Sequence, residues 1–178
     1  MKVDKELSSK ESIDLYILIV LLSGVLGFIY EEIFYWFDLG KLIKRGSTYG
    51  PWIPIYMVGA LLITFLTYRY RGKPLIVFLL STLVTGLLEY FTGFILLQIF
   101  HIRLWNYNTE ILNFGNIQGF ICLRSVLLFG ISGVFLIEWL IPRLKIRIQK
   151  KNNPIFHKTC IGILIIILTD IIIYAINH

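Results

Sequence analysis

The stretch that decides the fold is Leu75–Phe100, LIVFLLSTLVTGLLEYFTGFILLQIF, an apolar run of membrane length interrupted by one ionisable residue, Glu89. A helix needs about 20 apolar residues to cross the hydrocarbon core of a bilayer, and this run exceeds that. Thr82, Thr85, Gly86, Thr92 and Gly93 surround the carboxylate, so one face of the helix carries small and polar residues. A charge held at that depth is costly, and it marks a candidate functional site by default.

Four further apolar segments flank this one. The chain of 178 residues is 57% apolar and 16% charged, far from the roughly 25% charge of a soluble domain. The pattern predicts one all-α membrane domain over residues 1–178, with about five transmembrane helices near 13–37, 52–68, 74–100, 121–141 and 159–177. Residues 1–12 mix Lys2, Lys5 and Lys10 with acids, unlike a signal peptide, and read as a cytoplasmic segment before a retained first helix. Tyr and Trp at segment edges, such as Trp36, Trp52 and Trp139, fit interfacial belts.

The net charge of +6 does not indicate nucleic acid, because its placement follows membrane topology. With the N-terminus inside, twelve Lys and Arg residues fall on the cytoplasmic side, including Arg69, Arg71, Lys73 and the tract Arg143–Lys151. Only Lys41, Lys44, Arg45 and Arg103 fall outside, so an N-in, C-out arrangement in the cytoplasmic membrane is expected. The two outer connections read as structured loops. KRGSTYGPWIPIY, Lys44–Tyr56, is rich in Gly, Pro and aromatics, and HIRLWNYNTEILNFGNIQG, His101–Gly119, is long and rich in Asn and aromatics. Glu31 precedes Arg45 by the same interval as Glu89 precedes Arg103, a possible trace of repeated hairpins.

Counting helical rise places Glu31, Glu89 and Arg124 in the outer half of the bilayer. Pairing of Glu89 with Arg124 is the expected way to relieve the cost of burying each. Arg124 is a candidate ligand for an anion or lipid head group, and Glu31 and Glu89 are candidate proton-titrating or cation-coordinating groups. Asp170 and Glu138 are expected to be solvated or loosely paired. Cys122, Cys160 and the scattered histidines lack metal-ligand spacing, and no phosphate-binding loop or nucleophile elbow occurs, so no metal or cofactor is expected.

Five motifs in order are familiar: Glu31 after Gly27 and Tyr30, then RGSTYGPWIPIYMVGA, LLEYFTGFIL, LWNY and GFICLRSVLLFG, the last ending at Gly130. Together they closely resemble the ABC-transporter type IV (CmpB-like) family of bacterial membrane proteins, over roughly Gly24 to Gly133. The resemblance implies a multi-pass membrane protein with a permease-like role and polar positions at Glu31, Arg45, Tyr49, Glu89, Trp105, Tyr107 and Arg124. Asn106 and Phe120 depart from the family pattern, each making the outer cap less polar. A transport component with a small-molecule or lipid substrate is the leading reading, working as a homo-oligomer or with separate transporter subunits. An intramembrane enzyme acting on lipid or isoprenoid substrates, and a non-catalytic scaffold or sensor, are the alternatives.

Overall fold

The computed structural model describes residues 7–151 and 153–177; Lys2, Lys5 and His178 lie outside them. Five helices carry the fold: α1 (Ser9–Leu39), α2 (Pro54–Thr67), α3 (Pro74–Phe100), α4 (Leu123–Lys150) and α5 (Pro154–Asn177). There is no strand among the described residues, only an isolated bridge between Ile117 and Ile121. Ser8 and Glu11 form a reciprocal capping box at the start of α1, and Gly40 ends it in the left-handed region at φ 67°. Proline occupies the first turn of α2, α3 and α5, where its missing N–H leaves no bond unmade.

All but α2 are long and apolar enough to cross a membrane. At 14 residues, α2 is the shortest of the five, and the 3-10 turn Tyr68–Tyr70 continues it directly. Together they coincide with the expected second helix, 52–68, and rise about 27 Å, close to the roughly 30 Å hydrocarbon core. The start of α2 is tied to the middle of α1 by Ile53 N–H donating to the Gly24 carbonyl at 3.2 Å. Irregular backbone at membrane depth is tolerated where protein buries it or where it lines a cavity. The loop of residues 40–53 meets that condition: Thr48 and Ile53 are buried, and Thr48 Oγ1 donates to the Trp52 carbonyl at 2.6 Å.

The fourth helix is longer than its sequence pattern. Pro142 and the basic tract read as the end of a span at residue 141, yet α4 continues to Lys150. A π-helical turn at Phe135–Leu140 precedes the proline and absorbs its clash with the preceding carbonyl. Ile141, Leu144 and Ile148 then bury one face of the continuation against α1, leaving Arg143 and Arg147 off that face. Since α5 starts at Pro154 rather than near 159, only residues 151–153 connect the two.

The apolar core sits toward the basic end of the bundle, around Leu15, Ile19, Ala60, Ile63, Val77 and Ile137. Helices α3 and α4 cross closely, Gly130 against Thr82 and Gly133 against Ser81, where any larger residue would collide. On the far side of the bundle α5 packs along α1, and His157 Nδ1 meets Asp14 Oδ1 at 2.7 Å.

Asp170 on α5 holds the first loop in place. Its carboxylate accepts from Tyr49 N–H at 3.1 Å, Gly50 N–H at 3.0 Å and Trp52 Nε1 at 2.8 Å. Asp170 is thus a loop anchor rather than a solvated or loosely paired acid, and Glu138 likewise accepts from Gly72 N–H at 2.8 Å. Asp170→Ala is expected to cost roughly 1–3 kcal/mol in thermal unfolding in detergent, with Asp170→Asn milder because one acceptor survives. Equal loss from both variants would contradict the anchoring role.

Candidate functional site

The end of the bundle beneath the two loops encloses a cavity of about 350 Å³. Six of the seven predicted polar positions line it: Glu31, Arg45, Glu89, Trp105, Tyr107 and Arg124. Tyr49 does not; its ring meets Tyr174 edge-on and lies under Lys44, two residues that do line the cavity, and its backbone serves Asp170. Its predicted site position is explained by its place in the loop rather than by access to the chamber.

One side of the cavity is a continuous ionic chain. Arg45 Nε lies 3.3 Å from Glu31 Oε2, and its backbone N–H donates to Glu32 at 3.0 Å. The Arg45 guanidinium also donates to the Tyr35 hydroxyl at 3.1 Å and lies over that ring. Tyr35 in turn donates to Glu110 of the second loop, residues 101–122. Glu110 is buried, and its other oxygen accepts from Arg124 Nη2 at 2.6 Å. Arg124 is held flat by Phe34, whose ring centre is 3.7 Å from its Cζ.

The expected Glu89–Arg124 pair is therefore replaced. Arg124 takes Glu110, and Glu89 Oε1 instead accepts from the Tyr107 hydroxyl. The physical reason is that the second loop folds down into the bundle and brings its own carboxylate and phenol. Burial pushes the Tyr107 hydroxyl well above the ordinary tyrosine range, and the nearby Glu89 carboxylate adds to this, so it remains a neutral donor. The repeat-like interval also breaks here: Arg45 meets Glu31, but Arg103 donates to the Gln118 carbonyl at 2.7 Å. Trp105 closes the cavity wall with Nε1 bonded to the Phe120 carbonyl at 2.9 Å.

Three buried polar atoms in this site have no hydrogen-bond partner in the protein: Glu89 Oε2, Arg124 Nε and Arg124 Nη1. Ser125, beside Glu89, gives its proton to the Cys122 carbonyl at 2.9 Å. Buried polar groups are normally satisfied, so orphan atoms beside a cavity call for a partner that the protein does not supply. A neutral or anionic carboxyl and a fixed cation thus face a common space. Among the described residues no cluster has the makings of a metal site.

Sequence reasoning missed Glu110, Tyr35, Tyr30, Phe34 and Tyr56. A charged residue in a long loop carries no depth signal, which hid Glu110. A signal did exist on α1, where Gly27, Tyr30, Glu31, Phe34 and Tyr35 recur at helical spacing and share one face.

This arrangement can be set beside known proteins. A family model described as "Putative ABC-transporter type IV" matches residues 18–175. The chain belongs to this family. Membership and the apolar helices together make it a membrane protein of a transport-related family. No curated protein and no solved structure matches the chain. The family match extends past Gly133, where the resemblance read from the motifs ends, through α4 and most of α5, so the Asp170 anchor lies within it.

A double-mutant cycle on the family member's central pair distinguishes the two possible partners of Arg124. Glu110→Gln with Arg124→Gln is expected to show a coupling of about 1.5–3 kcal/mol in unfolding free energy. The cycle of Glu89→Gln with Arg124→Gln should fall well below that, and a larger value for it would reverse the assignment.

Proposed function

We propose that the chamber is the substrate site of a multi-pass transport component of the cytoplasmic membrane, opening to the outer side beneath the two loops. The observation that carries this reading is the chamber itself, lined by both Glu89 and Arg124, whose Glu89 Oε2 and Arg124 Nε and Nη1 atoms are buried with no partner in the protein. Arg124 is the cation for an anionic substrate group, preoriented by Glu110 and Phe34. Glu89, clamped by the neutral Tyr107, receives a hydroxyl or amine of the substrate or exchanges a proton with it. A pure scaffold has no need of such orphans, since Glu89 and Arg124 would satisfy one another.

The family name supports transport, and the distribution of charge supports the orientation. Lys10, Arg69, Arg71, Lys73 and the basic face of α4 all gather at the end opposite the two loops. The chain has no nucleotide-binding motif, so ATP-driven work requires a separate subunit. Connections 71–73 and 151–153 are too short to dock one, which leaves the basic continuation of α4, where Lys145 already bonds Tyr68 at 2.7 Å. Short connections favour a carrier or a substrate-capturing subunit over a standard ABC permease.

Labelling with a membrane-impermeant maleimide tests the reading. Ser47→Cys, at the chamber wall, should react in intact cells, and Lys151→Cys only after the membrane is opened. The reverse pattern overturns the orientation, and an unreactive Ser47→Cys in both conditions overturns a water-accessible chamber.

A further inference from the structure

Tyr107 and Glu110 bracket a single 3-10 turn of the second loop. Both reach into the bundle, one onto Glu89 of α3 and the other onto Arg124 of α4. The Tyr107 ring stands beside Arg124, its centre 5.5 Å from Cζ, while its hydroxyl bonds Glu89. The turn is therefore a wedge between a carboxyl and a guanidinium on two neighbouring helices. α3 and α4 pack closely along this stretch: Gly86 lies against Val126, and Ser125 is within reach of Glu89.

The three carboxyls of the site are not equivalent. Glu31 has Arg45 at 3.3 Å and Glu110 has Arg124 at 2.6 Å, whereas no ion pair reaches Glu89 among the described residues. Glu89 is buried within a membrane-length helix, one oxygen on Tyr107 and the other with no donor. The groups turned toward it are Tyr56 of α2, Tyr107 of the loop, Ser125 of α4, and Arg124, whose contact is with Glu110. Glu31 of α1 and Glu110 of the loop add two anions that repel a charge there. An ionised carboxylate without a cation is costly in such a place, and a carboxyl there takes up a proton instead.

Withdrawing the wedge reverses this balance. Arg124 then lacks its carboxylate and Glu89 its donor, and the two are left as partners for one another. Arg124 already has Nε and Nη1 without a partner in the protein.

Resting on the reading of the chamber as the substrate site, we infer that the second loop is a proton-linked lid over it. With the loop down, Glu89 is a neutral acid and Arg124 belongs to Glu110. When residues 107–110 lift, Arg124 passes to Glu89, whose O–H bond breaks, and the proton leaves to the water that enters the chamber. Glu110 departs with the loop as an ionised carboxylate. One ion pair is thus kept in the bundle in either state, and proton uptake by Glu89 closes the lid while proton loss opens it.

Two measurements on the full chain in nanodiscs test this without any substrate. In infrared spectra, the carbonyl stretch of a neutral carboxyl should be present at neutral pH and be removed by Glu89→Gln. Glu110→Gln, which frees Arg124, should move the titration of that band down by about 1–3 pH units, the shift that an opposite charge at contact produces. Adding Arg124→Gln to Glu110→Gln should restore it. In the second measurement, spin labels at Ile111→Cys on the loop and Ile99→Cys on α3, both exposed positions, report the height of the loop; the two native cysteines are buried. Their separation should grow as the pH rises through the wild-type titration, and should stay at its low-pH value in Glu89→Gln, which cannot ionise. A wild-type band that is absent, or that Glu89→Gln leaves in place, overturns the neutral acid. A band that Glu110→Gln does not move overturns the exchange of partners. A label separation that ignores pH, or still follows it in Glu89→Gln, overturns the lid, and this arm stands even if Glu110→Gln does not fold. None of these outcomes depends on whether Ser47→Cys is water-accessible, so the substrate-site reading stands or falls separately.

Discussion

The carboxylate of Glu110 is the tie on which the functional end of the molecule depends. One oxygen takes the Tyr35 hydroxyl of α1 and the other takes Arg124 of α4, so a loop side chain bridges α1 and the first half of α4, which make no extensive backbone contact there. Through Tyr35 the link continues to Arg45 and Glu31, drawing the first loop into the same chain. A buried ion pair is weak support for stability but strong support for geometry, because each partner needs the other to stay in place. With Arg124 committed at Nη2, its guanidinium is fixed at the chamber wall, its Nε and Nη1 atoms buried there without a partner in the protein.

The chamber itself follows from where α2 starts. Ile53, just before it, is tied to the Gly24 carbonyl in the middle of α1, which leaves the space above the first turn of α2 to a loop. That loop is admissible at such depth because Asp170, Thr48 and the Gly24 carbonyl receive its polar groups. Tight glycine-mediated packing of α3 on α4 keeps the opposite wall closed.

Much of this was legible in the sequence, for identifiable reasons. Apolar runs mark the long helices because lipid demands them, and the ordered motifs from Arg45 to Gly130 carry the family. Helix ends were less legible: Pro142 reads as a stop, but a π-helical turn lets α4 pass it. The set of polar residues around the cavity was legible from charge in oily segments, whereas their pairing was not. Helical rise places Glu89 and Arg124 at similar depth, and nothing in the sequence reveals that residues 101–122 fold inward to insert Glu110 and Tyr107 between them. The role of Asp170 is hidden for the same cause, since its partners are two backbone N–H groups and the Trp52 indole of a loop more than a hundred residues away.

The most direct measurement is an experimental structure in a lipid bilayer, resolved well enough to show the chamber contents. The predicted result is Arg124 on Glu110, Tyr107 on Glu89, and non-protein density within hydrogen-bonding distance of both Glu89 Oε2 and the free edges of Arg124. Arg124 turned onto Glu89 with the chamber closed would contradict a substrate site and leave the two charges as a structural staple.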